Sequence, residues 1–425
     1  MQVTLHTPAP RGTLPAFPSK SEAHRYLICA ALADAPTRII CTQTNDDIDA
    51  TAACLNALGA TVTRTEDGFS VTPIRHAPTV ADVDCGESGS TLRFLLPVIA
   101  ALGTSARMHL HGRLPERPLS PLYELLEQNG VALSAKGSNP LLISGRLSGT
   151  QFSIDGGVSS QFISGLLFAL PLLDRDTPCS IRLLGRVESR PYLNMTLAAL
   201  AAFGIPVDEH DGVLTLPAHS HFTSPGTLAV GGDWSGAAPW LCMGAVGKHP
   251  VTVTGLDVAS GQGDKAILSV LSDMGASVSV DKDARAVTVT PAPLHGIALD
   301  ASHVPDLVPV IAATAALADG TTCISGAARL RIKESDRLMT TATVLGTLGA
   351  DIRQTDDGLI ISGKPTLVGG SVDAFGDHRI AMTAAVASLG CKQPVKLDGA
   401  QAVAKSYPTF WEQLSALCTL DSVVF

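Results

Sequence analysis

The sequence predicts an α/β protein of two domains, each made of three βαβαββ units with buried helices and outer sheets. Two motif ladders of one period predict it, together with a composition poor in aromatics. The first motif is a helix ending in Leu-x-x-hydrophobic-Gly, followed by two alternating apolar runs with a polar turn between them. It occurs at residues 55–59, 126–130, 200–204, 271–275 and 345–349, so its glycines fall 71, 74, 71 and 74 residues apart. Each glycine suits the left-handed position just past a helix end, where a Cβ would clash. The alternating runs read as a β-hairpin, with turns at Glu66-Asp67-Gly68 and Asp356-Asp357-Gly358.

The second motif is a short strand, a Gly/Ser-rich turn and an apolar helix. It precedes helices expected at 22–32, 91–102, 161–170, 236–246, 307–317 and 379–389, again at a spacing of about 71 residues. Six units divide most simply into three plus three. A further helix at 409–417 lacks a hairpin of its own, and the N-terminal strand at 1–6 is expected to supply a partner there. Both chain ends then share one domain, at 1–18 plus 232–425, and the other domain is 19–231. Runs such as Ile311-Ala312-Ala313-Thr314-Ala315-Ala316-Leu317 are apolar around whole turns, which suits helices inside a domain.

Composition narrows the function. The chain has 425 residues, 45 % of them apolar, 16 % charged and 4 % aromatic, with a formal charge of −9. That acidity argues against nucleic acid, which needs clustered Lys and Arg. No apolar run reaches the roughly 18 residues of a membrane span. The start, Met1-Gln2-Val3-Thr4-Leu5-His6, lacks the basic and apolar regions of a signal peptide. Nine cysteines with no C-x-x-C pair read as reduced core thiols, so a cytoplasmic protein is expected.

Cations stand where they are least expected. A helix N-terminus attracts anions, yet Lys20, Ser21 and Arg25 open the first helix and Arg93 follows Ser88-Gly89-Ser90. Arg117 precedes Pro118, Lys333 and Arg337 bracket Glu334, His378-Arg379 open a helix, and Lys405-Ser406 precede Tyr407-Pro408. Cations there oppose the dipole unless they converge on a bound anion; the alternative is scattered surface salt bridges. Ser88-Gly89-Ser90 and Ser159-Ser160-Gln161 are either anion cradles or plain N-caps. No phosphate-binding G-x-x-x-x-G-K-[ST] exists. Asp306 is either an acid–base group or an N-cap, and Glu334 should be ionised between Lys333 and Arg337. Asp377-His378-Arg379 resembles a switchable proton relay, unless His378 simply hydrogen-bonds Asp377. No Cys or His cluster has metal-ligand spacing, so neither metal nor cofactor is expected.

These residues resemble, in order and over the whole chain, the 5-enolpyruvylshikimate-3-phosphate (EPSP) synthase family. The resemblance is carried by Ser19-Lys20-Ser21 with Arg25, Ser88-Gly89-Ser90-Thr91-Leu92-Arg93, Glu116-Arg117-Pro118 and Ser159-Ser160-Gln161. Ser189-Arg190-Pro191-Tyr192, Pro305-Asp306, residues 332–338, Gly376-Asp377-His378-Arg379 and Lys405-Ser406-Tyr407-Pro408 complete it. It implies an enolpyruvyl-transferase-like fold, an inverse α/β barrel in each domain, closing on substrates at helix N-termini.

The implied reaction moves the enolpyruvyl group of phosphoenolpyruvate to the 5-hydroxyl of shikimate 3-phosphate and releases phosphate. By resemblance, Lys20, Ser21, Arg25, Ser159, Ser160, Gln161, Ser189, Asp306 and Lys333 hold shikimate 3-phosphate. Lys20, Gly89, Arg117, Gln161, Arg337, Arg379 and Lys405 hold phosphoenolpyruvate, and a side chain at Gly89 would intrude on the enolpyruvate. Asp306, Glu334, Lys20, Lys333 and His378 carry the chemistry, and a monomer is the family expectation. Locally the chain departs from the pattern: His24 stands where Asn is frequent, and Glu87-Ser88 replace Asn-Ala. Arg329 stands where an Asn often contacts the sugar, a contact not carried over. The rival is the sister enzyme acting on UDP-N-acetylglucosamine, whose loop cysteine is missing here. A non-catalytic repeat scaffold would instead spread its cations over an outer face.

Overall fold

A computed structural model describes residues 1–418 and 422–425 as two compact units, Lys20–Val230 and Met1–Ser19 with Gly231–Phe425. The division falls one residue from the expected one on either side. Ser19 N–H donates to Gly231 C=O (2.8 Å), so both stay with the second unit, while Val230 N–H donates to Ile40 C=O (2.9 Å) in the first.

The unit Lys20–Val230 contains α1 (Lys20–Ala31), α2 (Asp46–Ala57), α3 (Gly89–Leu102), α4 (Leu122–Gln128), α5 (Ser160–Ala169) and α6 (Arg190–Ala202). The other contains α7 (Trp234–Val246), α8 (Ile267–Asp273), α9 (Val308–Ala315), α10 (Arg337–Thr347), α11 (His378–Ser388) and α12 (Phe410–Leu417). Each unit carries three four-stranded sheets of one plan. A parallel pair, such as Val80–Asp84 with Ser105–His109, is extended by two antiparallel strands, here Leu141–Gly145 and Val131–Leu133.

The local chemistry explains the plan. Gly59, Gly130, Gly204, Gly275 and Gly349 all have φ between +77° and +100°, ending their helices and turning the chain into the hairpin. Strands alternate, as in Val251–Thr254, where both valines are buried and both threonines lie at the surface side. The odd-numbered helices from α3 through α11 bury nearly every residue, and α1 does so after its first turn apart from Tyr26; all eight of α9 are inside. The even-numbered helices bury one face only: α10 shows Met339 to solvent while Leu338, Val344 and Leu345 enter the core. Burial all round is therefore a property of one helix in each βαβαββ repeat, not of both.

The sixth sheet uses both chain ends. Gln2–Leu5 lies antiparallel between Val395–Asp398 and Val423–Val424, as the N-terminal strand was expected to. Residues 419–421, which follow α12, lie outside the described residues. No described helix is long and apolar enough to cross a membrane. All nine cysteines are free thiols, seven of them buried.

The imidazole of His24 lies fully inside the first unit. Burial pushes His24 down to about 3, helped by Lys20 and Arg25 and opposed by Asp47. The unfolded chain takes up this proton near pH 6.5 and the folded chain does not, so stability falls as the pH drops from about 6.5 towards 3. By pH 5 the loss reaches about 2 kcal/mol. Denaturant unfolding at pH 7 and pH 5 should show this loss in the wild type, and His24→Asn should remove about that much of it.

Candidate active site

Within the unit Lys20–Val230 the expected residues gather at the starts of α1, α3 and α5. Lys20 Nζ bonds Asp47 Oδ2 at 2.7 Å, so Asp47, an acid in the first turn of α2, is also the buried partner of a cation. Asn45 is the cap of α2, accepting from Ile48 N–H. The Arg25 guanidinium, buried and 5.0 Å over Phe94, donates to Thr196 Oγ1, Ser21 C=O and Tyr192 C=O. Burial lowers it to about 10, which leaves it charged near neutrality.

Gln161 is held at both ends. Its Oε1 accepts from Arg93 Nη1 (2.7 Å) and its Nε2 donates to Ser90 Oγ (2.9 Å). Arg93 also reaches Pro118 C=O at 3.1 Å, joining the starts of α3 and α5 to the segment after Arg117. Arg93 is thus part of this group although the sequence alone does not place it among the ligand-binding residues; its position beside Ser88-Gly89-Ser90 is the available signal. The Arg117 guanidinium packs on Gly89, where an added Cβ would lie 2.8 Å from Nη1. The space a side chain would enter is therefore that of Arg117.

The serines divide. Ser88 and Ser159 are N-caps, accepting from Thr91 N–H and Gln161 N–H. Ser160 opens α5 and is buried. Ser189 sits at the N-cap position of α6 with φ +51°, in the left-handed region, and makes no capping bond. A non-glycine residue held there marks a position fixed by its surroundings.

In the other unit the charged residues form one buried cluster around Arg337, which is 2 % exposed. Its Nε and Nη2 grip both oxygens of Asp377 (2.7 and 3.1 Å), its Nη1 bonds Asp306 Oδ1 (2.9 Å), and its Nη2 bonds Glu334 Oε2 (2.9 Å). Lys333 Nζ lies 3.4 Å from Asp306 Oδ1. Asp306 caps no helix. It lies in the 3-10 turn Pro305–Leu307 ahead of α9, and its carboxylate goes to these two cations. Burial alone would raise its pKa, but Lys333, Arg337 and Arg379 outweigh it and hold the group well below the usual carboxylate range.

Asp377 does not hydrogen-bond His378. The Nδ1 to Oδ1 distance is 3.9 Å, beyond hydrogen-bond reach. Asp377 instead accepts from Arg337, Ser335 Oγ (3.0 Å) and Arg379 N–H (2.9 Å). It is the anchor of the cluster, and no direct hydrogen bond joins it to the imidazole, whose Nδ1 lies at ion-pair distance. Arg379 opens α11, is 8 % exposed, and directs Nη1 to Ser235 C=O at 2.7 Å. It makes no ion pair among the described residues. Lys405 ends the 3-10 turn Ala400–Lys405 and is buried. Arg329 reaches Ser302 C=O at 2.9 Å, in the turn leading to Asp306. No group of described residues could hold a metal ion.

Solved structures share this fold. An EPSP synthase from Acinetobacter baumannii superposes with a TM-score of 0.82 at 24 % identity, covering 100 % of this chain and 99 % of its own. The enolpyruvyl transferase NikO from Streptomyces tendae gives 0.75 at 19 %, covering 98 % and 97 %. The fold is that of the enolpyruvyl transferases. Sequence defines the branch. A model of the family described as EPSP synthase (3-phosphoshikimate 1-carboxyvinyltransferase) matches residues 8–414. A 3-phosphoshikimate 1-carboxyvinyltransferase of Clostridium kluyveri is 40 % identical over 94 % of this chain and 93 % of its own. The one of Clostridium acetobutylicum is 39 % identical over 96 % and 95 %. This chain belongs to the EPSP synthase family.

Proposed function

We propose that this chain transfers the enolpyruvyl group of phosphoenolpyruvate to the 5-hydroxyl of shikimate 3-phosphate, releasing inorganic phosphate. The observation that carries the reading is Arg379. A buried guanidinium at a helix start, bonded to a backbone carbonyl and to no carboxylate, is a place prepared for an anion. Arg337, Arg117, Gly89, Gln161, Lys20 and Lys405 complete the phosphoenolpyruvate contacts. Ser21, Arg25, Ser159, Ser160, Gln161, Ser189, Lys20, Asp306 and Lys333 hold shikimate 3-phosphate. A scaffold with cations on an outer face does not fit, because Arg25, Arg93, Arg337 and Arg379 are all buried.

In this reading Asp306 takes the 5-hydroxyl proton as that oxygen attacks C2 of phosphoenolpyruvate, and Glu334 protonates the methylene carbon. The Glu334 carboxylate then takes a proton back from the new methyl group of the tetrahedral adduct as the C–O bond to phosphate breaks, and Lys20 and Lys405 stabilise the charge of the departing phosphate. Lys333 assists proton movement. His378 is kept as a group beside the donor site, without a relay through Asp377. The enzyme works in the cytoplasm as a monomer, with neither metal nor cofactor.

Phosphate release from phosphoenolpyruvate, measured with each acceptor, tests the proposal. Release is expected with shikimate 3-phosphate and not with UDP-N-acetylglucosamine; the reverse would select the sister activity, and no release with either would refute both. Gly89→Ala tests the donor site. The new methyl must push the Arg117 guanidinium aside. The KM for phosphoenolpyruvate should rise about tenfold, equivalent to about 1.4 kcal/mol, with the KM for shikimate 3-phosphate unchanged.

A further inference from the structure

Four polar side chains cross the core of the unit Lys20–Val230, and none of them shows any surface to solvent: His24 of α1, Thr51 of α2, and Ser88 and Thr91 at the start of α3. His24 Nδ1 lies 2.7 Å from Thr51 Oγ1, and Thr51 Oγ1 lies 2.7 Å from Thr91 Oγ1. Thr91 Oγ1 donates to Ser88 Oγ at 2.8 Å, and Thr91 N–H donates to the same oxygen at 3.2 Å.

The protons in this chain can be counted. Each hydroxyl has one. That of Thr91 is on Ser88, so Thr91 accepts from Thr51. The Thr51 proton is then committed, so Thr51 accepts from His24 Nδ1–H. The chain runs one way, from the imidazole to the cap of α3, and it requires a neutral His24 protonated on Nδ1. Nε2 carries the lone pair and has no hydrogen-bond partner among the described residues. Burial enforces that neutral form down to about pH 3.

The last acceptor matters because of its neighbour in sequence. Ser88 is the N-cap, and the next residue is Gly89, against which Arg117 packs. Ser88 Oγ has two lone pairs, and the chain fills both with donors from one residue, Thr91. That fixes where the first turn of α3 begins and where the N–H groups of Gly89 and Ser90 point. An apolar trio would fill the same core without setting any of this.

We propose that His24 is a positioning residue for the enolpyruvyl donor, acting through Thr51 and Thr91 on the Ser88 cap and so on the Gly89–Arg117 site. The proposal rests on the reading that Gly89 and Arg117 hold phosphoenolpyruvate. Its device is a directed hydrogen-bond chain, so the donor group at its head is what counts, not the ring. Asn can offer an N–H near the Nδ1 position, and Leu cannot.

The test is steady-state kinetics on Thr51→Val, His24→Leu and His24→Asn, with Gly89→Ala as reference. Thr51→Val and His24→Leu should raise the KM for phosphoenolpyruvate about tenfold, equivalent to about 1.4 kcal/mol. The KM for shikimate 3-phosphate should stay within about twofold, and His24→Asn should keep both values near wild type. A purely structural role would lower the melting temperature and move both KM values together, or neither, and that result would overturn the proposal. Should His24→Leu fail to fold, Thr51→Val decides, since it nearly keeps the volume and removes only the link. A raised KM in Gly89→Ala with an unchanged one in Thr51→Val overturns this proposal alone. An unchanged KM in Gly89→Ala overturns the donor-site reading beneath it.

Discussion

Replacing Asp306 by Ala should lower turnover by a factor of about 10² to 10⁴, the range expected when a positioned acid–base group is lost. Ligand binding should be kept, and for phosphoenolpyruvate it should tighten. The reason is electrostatic. Asp306 sits against Lys333 and Arg337, 3.4 and 2.9 Å away, and neutralises part of their charge. Without it, two cations face the incoming anion with less competition. The same contacts hold the Asp306 carboxylate well below the usual range, which makes it a weak base in the ligand-free protein. An anionic substrate that draws Lys333 and Arg337 towards itself would restore its basicity at the moment a proton must be taken. Rapid-quench turnover and equilibrium binding measure the two effects separately. Turnover of Asp306→Ala within about fivefold of wild type would remove Asp306 from the mechanism.

Arg337→Gln should lower stability by about 3 to 5 kcal/mol, because it leaves three carboxylates around a site with no guanidinium. Asp377 is completely buried, and Asp306 and Glu334 are mostly so. For a cooperative unit of roughly 200 residues, the size of the one that holds the cluster, the melting temperature should fall by about 10 °C. Arg337→Lys should recover less than half, since one ammonium cannot make the four bonds of a planar fork. Asp306 also fixes the pH signature. Its folded pKa is depressed, so its contribution is complete above the unfolded value near 4 and lost as the pH falls below it. This is a different window from that of His24, whose cost accrues from about pH 6.5 downward. Calorimetry of wild type and Arg337→Gln between about pH 2 and 8 separates the two; a shift below about 3 °C would mean that the cluster relaxes without its centre.

Much of the fold was legible because its causes are local. A glycine past a helix end, a two-residue polar turn and an alternating run are each set by neighbours within ten residues, and repetition of one period multiplies the signal. The cations at helix starts were legible for the same reason. What the sequence could not supply was partner choice. Asp47 reads as one more acid at the start of α2, yet it meets Lys20 from α1. Arg93 reads as an isolated cation, yet it joins Gln161 from a helix 68 residues away. Asp377 stands beside His378 in the chain, but the helix start directs its carboxylate to Arg337, 40 residues back. Adjacency in sequence was the weaker guide wherever three helices meet.

The sheet shared by the two chain ends bears on the order in which the protein can be made. The unit Lys20–Val230 is continuous and can fold once its last strand, Thr227–Ala229, has left the ribosome and paired with Thr37–Ile40. Gln2–Leu5, synthesised before that whole unit, must wait for Val395–Asp398. At about 5 to 20 residues per second that delay lasts tens of seconds or more. During it the oldest strand is an unpaired edge, exposed to the wrong partners. The second unit is therefore the one expected to need a chaperone, and its closing sheet is the later of the two units' to form.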